Sequence, residues 1–315
     1  MDNKSIAVIL TAANEKESIV NALKYICNPQ YSGFVGKFTL LQVSPDESTL
    51  READEYIVKL NNKNLKFIQL KDPGTSKPEA LNMAFRKLDS EMIILTDGDV
   101  YFKHGSFARL IEEFVMRDYD IACAMPQSLN DRNSFMGYIS HLMTAAANDK
   151  RLKEITNKDC FFPLSGYGMI LNVKKFKSMT GKKLGVPNDC LVEDAFVSYE
   201  FYNHNLKMGY IPQSKVMVKF PTTLGDYFRQ KKRSTGGYLQ LWKYGIVRKD
   251  TNSRSLVQEL KYFVFPIKYA ANFKEFCWSL SFYPVRLVLW IMMLYERKFI
   301  DKAFDKTWVR IESTK

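Results

Sequence analysis

Thr96-Asp97-Gly98-Asp99 follows directly on the apolar run Met92–Thr96. Two carboxylates separated by one glycine on a turn can both face outward. Oxygen donors of this kind bind Mg²⁺ or Mn²⁺ together with substrate phosphates. The competing reading is a solvated turn, since Asp and Gly are ordinary turn formers. Roughly a hundred residues later come Glu193 and Asp194, at the start of an expected helix. Acids there complement the helix dipole, but a carboxylate beside a metal site also serves as a general base, taking a proton from an attacking hydroxyl. Roughly forty residues further lies Arg229-Gln230-Lys231-Lys232-Arg233-Ser234. The planar fork of an arginine suits phosphate; the alternative is a basic surface run.

These residues need a scaffold that brings them together. Ser5–Thr11 is a continuous apolar run of strand length, and Phe38–Val43, Leu65–Leu70 and Met92–Thr96 read as a second, third and fourth strand. Between them, helical periodicity covers Asn14–Lys24, Ser48–Leu60 and Pro78–Leu88. Such alternation predicts an α/β fold with a mostly parallel sheet and helices on both faces. Ligands in such sheets sit beyond the carboxyl ends of the strands, here at Thr11–Glu15, Val43–Ser48, Lys71–Lys77 and Thr96–Val100. Later in the chain, Ile121–Met125 reads as a strand, Phe135–Asn148 as an apolar helix, Phe161–Asn172 as a turn feeding a strand, and Val192–His204 as a helix.

Composition narrows the function classes. The chain has 315 residues, of which 46% are hydrophobic and 25% charged, which excludes a disordered or fibrous chain. Five scattered cysteines form no CxxC pair, so neither a disulfide framework nor a structural zinc site is expected. With three histidines, a His-rich metal site is not expected either. Residues 1–204 carry 25 Lys+Arg against 26 Asp+Glu, whereas residues 205–315 carry 21 against 8. The formal excess of +12 therefore lies in the last third, a concentration that attracts polyanions or an acidic lipid surface. The aromatic, basic segment 262–298 suits either a membrane interface or a helical pair packed on the core. Its longest apolar run, Leu287–Leu294, is too short to span a bilayer. No secretory leader is read at the N-terminus. The expected setting is cytoplasmic and peripheral on the inner face of a membrane.

The ordered set VILTAANEKE, VSPDEST, GTSKPEALNMA, TDGD, VED and QKKRS resembles glycosyltransferase family 2, the inverting GT-A type enzymes that include cellulose, chitin and hyaluronan synthases. The resemblance covers roughly residues 5–240, leaving 241–315 as a helical extension. It implies transfer of a sugar from a nucleoside-diphosphate sugar, UDP-sugars favoured, to a glycan or lipid-linked acceptor hydroxyl, with Mn²⁺ or Mg²⁺ as cofactor. Residue by residue, Ala13 and Glu15 match the first nucleotide loop, and Asp46 matches the acid that holds the base, although SPDES departs from DDGS. Lys77 matches the lysine of the segment before the fourth strand. Asp97 and Asp99 match the DxD pair, with Asp99 facing the metal, and Asp194 matches the catalytic base beside Glu193. Gln230 and Arg233 match a QxxRW motif, placed at acceptor or pyrophosphate, but Ser234 stands where Trp is expected. That departure argues for a single transfer or for a different acceptor contact.

Two rivals remain at this level. A phosphatase of the haloacid dehalogenase type also uses DxD, but has Thr or Val where Tyr101 stands, and carries its motif in the first strand. A nucleic-acid-binding module would use the basic tail, yet no nucleic-acid motif is present and the basic residues alternate with apolar runs, so no nucleic acid is expected. A glycosyltransferase fold without activity is a third reading, and the intact acids weigh against it.

Overall fold

The computed structural model describes residues 5–156, 161–248, 262–299 and 314. The chain packs as two units. The first comprises Met1–Pro126 and Pro163–Val218, the second Gln127–Phe162 and Lys219–Lys315. Gln230 and Arg233 thus fall in the second unit, with the C-terminal helices.

The first unit is built on an eight-stranded sheet in the order β3-β2-β1-β4-β7-β6-β8-β5. Strands β1 (Ile6–Thr11), β2 (Phe38–Ser44), β3 (Leu65–Lys71) and β4 (Met92–Asp97) pair in parallel. Every residue of β1 is buried, as the unbroken apolar run requires of a strand at the centre of a parallel sheet. Thr11 is level with both Val43 and Asp97, and Val43 with Leu70, so four loops leave the sheet at one height. Beyond β4 antiparallel pairs enter the sheet. Strand β7 (Met169–Asn172) pairs β4 and β6 (Ile121–Ser128), and β5 (Val100–Phe102) pairs β8 (Met208–Val218). The fold class is the one expected, with β1 to β4 paired in parallel and antiparallel pairs entering at β7. Strands β5 and β8 have mixed patterns and gave no readable sequence signal.

Helices α1 (Ile19–Cys27), α3 (Glu47–Leu60) and α4 (Lys77–Lys87) follow the first three strands, and a short α2 (Pro29–Ser32) precedes β2. Helix α1 starts five residues later than periodicity suggests. Asn14 adopts a left-handed backbone, φ 53°, and Ser18 and Ile19 both donate to the Glu15 carbonyl, so residues 14–18 form a loop instead of a first turn. Helices α5 (Ser106–Met116), α7 (Val173–Thr180) and α8 (Glu193–Asn203) complete this unit.

The second unit contains α6 (Phe135–Thr156), α9 (Leu224–Lys243), α10 (Phe265–Tyr269) and α11 (Phe273–Phe299). Tyr138, Ile139 and Leu142 of α6, Tyr227 of α9, and Phe282 and Leu289 of α11 share one core, so segment 262–298 packs along one of its faces. Arg132 clamps the start of α11. Its Nε lies 2.7 Å from Glu275 Oε1 and its Nη2 2.9 Å from Oε2. The Arg132 hydrogen bond, outweighing burial, holds the Glu275 carboxyl down at about 2. No described helix is long and apolar enough to cross a membrane.

Candidate functional site

The site lies at the carboxyl ends of β1 and β4 and the amino ends of α4 and α8. Ser76 caps α4 by accepting from the Glu79 amide, and Pro78 fits the first turn, where its missing N–H costs nothing. This start places Lys77 at the positive end of a helix, an unfavourable position for an ammonium group. Two carboxylates offset that. Lys77 Nζ lies 2.8 Å from an oxygen of Asp97 and 2.8 Å from Glu193 Oε1. Withdrawal from water pulls the lysine pKa down, but the charges of Asp97 and Glu193 outweigh it and hold the pKa well above the usual value.

Asp97 also accepts from Thr11 Oγ1 at 2.6 Å, so the strand rung that aligns the two residues also joins their side chains. Gly98 lets the turn approach the first loop. A Cβ there would lie 2.8 Å from the Cβ of Ala12 and 3.3 Å from that of Glu15. Asp99 follows in the turn. Its carboxyl is raised to about 7 by withdrawal from water, then by the charges of Asp97 and Glu15, with Lys77 opposing.

Asp194 stands in the first turn of α8. Its Oδ1 accepts from the Ala195 amide at 2.8 Å and its Oδ2 from the Gly166 amide at 3.2 Å. Burial and then the Glu193 charge raise its pKa, opposed by these hydrogen bonds and by Lys77. Asp97, Lys77, Glu193 and Asp194 line one recess, with Gly166 at its wall. The hydroxyl of Tyr167 is driven upward by burial and by the charges of Asp99, Asp97 and Asp194 together.

Asp46 has a local structural role. It caps α3, accepting from the Thr49 amide at 2.8 Å and the Ser48 hydroxyl at 2.9 Å through Oδ1. Its Oδ2 takes the Asn14 amide at 2.6 Å and the Ser44 hydroxyl at 3.1 Å. Burial would raise its pKa, but the hydrogen bonds from Thr49, Asn14 and Ser48 win and hold it at about 2. Asp46 thereby ties the loop of Ala13, Asn14 and Glu15 to α3, and the Glu15 amide adds a 2.9 Å bond to Thr49 Oγ1. Thr11 and Gly166 were not singled out individually from the sequence. Thr11 falls in the flagged loop Thr11–Glu15, whereas nothing in LSGYG marks Gly166. Gln230 and Arg233 lie on α9 of the second unit. Among the described residues no group of three or more His, Cys, Asp and Glu side chains is arranged to hold a metal unaided.

A sequence model described as glycosyltransferase like family 2 matches residues 3–237. The curated proteins yield no match. Among solved structures, the mannosyltransferase PcManGT from Pyrobaculum calidifontis, in complex with GDP-Man and Mn²⁺, is 13% identical. It superposes with a TM-score of 0.56 over 94% of this chain and 81% of its own. S. aureus TarS 1-349 with UDP-GlcNAc is 12% identical over 93% of this chain and 87% of its own, at a TM-score of 0.48, too low to add weight. At such identities a superposition speaks to fold alone. The family match spans every strand of the sheet and the helices bearing Lys77 and Asp194, and the chain therefore belongs to glycosyltransferase family 2.

Proposed function

We propose that the chain moves a sugar from a nucleoside-diphosphate sugar, UDP-sugars first, to an acceptor hydroxyl with inversion at the anomeric carbon. The observation that carries this reading is the Lys77 ammonium bridging Asp97 and Glu193, which joins the end of β4 to the residue beside Asp194. The acceptor oxygen forms a bond to the anomeric carbon while the bond from that carbon to the diphosphate oxygen breaks. The diphosphate leaves with the electron pair, and the acceptor proton passes to a carboxylate oxygen of Asp194. The raised proton affinity of Asp194 suits that task, and its two backbone donors fix its orientation. Lys77 sits where it can oppose charge on the leaving diphosphate. Gln230 and Arg233 are assigned to the acceptor or the pyrophosphate on their family match.

Asp97 and Asp99 fit a divalent cation. They are oxygen donors, and the like charges pressing on Asp99 mark a place short of positive charge. Mg²⁺ and Mn²⁺ are ordinarily held by one or two carboxylates plus phosphate oxygens and water, so no third protein ligand is required. Bound there, Mn²⁺ or Mg²⁺ would supply Lewis-acid neutralisation of the leaving group.

The test is a panel of UDP-, GDP- and dTDP-sugars with Mn²⁺, followed by thermal stabilisation and by nucleotide release. One donor is expected to raise the melting temperature and to be consumed. A panel with no stabilisation and no release would sink the reading. Gly98→Ala should weaken binding of that donor by roughly tenfold, because relieving an overpacked contact costs about 1–3 kcal/mol and the relief must move the turn away from Ala12 and Glu15. Isothermal titration of parent and variant measures it, and equal affinities would contradict the proposed donor position.

A further inference from the structure

The structure leaves one long helix apolar on two opposite sides. Phe282 and Leu289 of α11 face the core of the second unit. Phe273, Phe276, Leu280, Leu287, Val288 and Ile291 are between 37% and 80% exposed. At about 100° per residue these six fall within an arc of about 120°, over a length of about 27 Å. No charged residue of Phe273–Met292 falls inside that arc. A surface helix normally turns polar residues outward, whereas this one also turns a row of apolar side chains to the outside. The patch continues onto the preceding turn. Phe263 and Val264 are about half exposed, and the Phe263 ring meets the Tyr283 ring at 4.6 Å.

We propose that this face of α11 lies in the interfacial layer of an anionic membrane, with the helix in the membrane plane. Three observations favour lipid over a second copy of the chain. The arc is about 27 Å long and about 10–12 Å wide, near 300 Å², whereas stable protein–protein association needs about 800 Å² per partner. Residues 205–315 carry a net charge of +13, which would oppose pairing of two copies and which anionic headgroups would attract. Glu275, the one acid of Phe273–Met292, is turned inward onto Arg132 and away from the apolar arc. No described helix can span the bilayer, which leaves an in-plane position.

The inference stands apart from the sugar-transfer reading, and its test does not use activity. Full-length protein is floated with phosphatidylcholine vesicles, with and without phosphatidylglycerol, and compared with the double variant Leu287→Glu, Ile291→Glu. Both replaced side chains are exposed, so circular dichroism and melting temperature should be unchanged. The parent is expected to float with the anionic vesicles, and the variant to bind them roughly a hundredfold more weakly, since two apolar anchors are lost. Failure of the parent to float overturns the proposal. Equal flotation of parent and variant also overturns it, because attraction would then rest on basic charge alone. A lipid-independent dimer in sedimentation velocity that the variant abolishes assigns the face to a second copy, and overturns it as well.

Discussion

Asp194→Asn is expected to lower turnover by about 10²–10⁴-fold, the span that a positioned general base contributes, while donor affinity changes by less than about twofold. The amide is nearly the same shape as the carboxylate, so the bond from the Ala195 amide is kept. It cannot take the acceptor proton. Its NH₂ group would also meet the Gly166 amide donor, and the side chain loses that second support. The pH profile supplies an independent readout. Because burial and Glu193 raise the Asp194 pKa, the acid limb of kcat/KM should lie above the ordinary carboxylate range, and the residual activity of the variant should lack that limb. Near-parental turnover in Asp194→Asn would remove Asp194 from the mechanism.

Arg132→Ala is expected to destabilise the second unit by about 1–2 kcal/mol at neutral pH, less than a fully buried ion pair would lose, because the Arg132 side chain is 38% exposed and water screens the contact. Glu275 is the buried member, with 8% of its side chain exposed, and Arg132 supplies both of its charged contacts while donating also to Tyr269 Oη at 3.1 Å. The remaining bond to Glu275, from the Ala271 amide at 2.8 Å, does not replace a guanidinium. The folded-state pKa of Glu275 is depressed to about 2. Its contribution is therefore complete above the unfolded value near 4.5 and is lost as pH falls through about 2. The stability gap between parent and variant should narrow over that interval. Urea denaturation followed by tryptophan fluorescence reports it, since Trp278 packs in the same cluster. A gap that is absent at neutral pH, or that does not change with pH, would refute the account.

The parallel half of the fold was readable because β1 and β4 are almost wholly apolar and each intervening helix repeats at 3.6 residues. Ile6–Thr11, Phe38–Ser44, Leu65–Lys71 and Met92–Asp97 lie within a residue of the expected runs. The rest of the sheet was less legible. Strand β8 alternates between buried and half-exposed positions, and β5 has three residues, too few to show a period. The acids of the site stood out because carboxylates flanking a glycine at the end of an apolar strand are chemically conspicuous. The groups that hold them were harder to find. Gly166 acts through its amide, which any residue possesses, and the hydroxyl of Thr11 points along a rung that exists only once β1 and β4 are paired. Asp46 is matched to a base contact by the family resemblance, and its four protein donors become visible only when α3 and the Asn14 loop are in place.

The common level of Leu70, Val43, Thr11 and Asp97 across four strands has an evolutionary consequence. Adding or deleting one residue within a strand would turn its side chains to the opposite face of the sheet, whereas the loops themselves can change length at small thermodynamic cost. The turns are thus free to drift in length and sequence, while the strands below keep Thr11 and Asp97 at a fixed altitude.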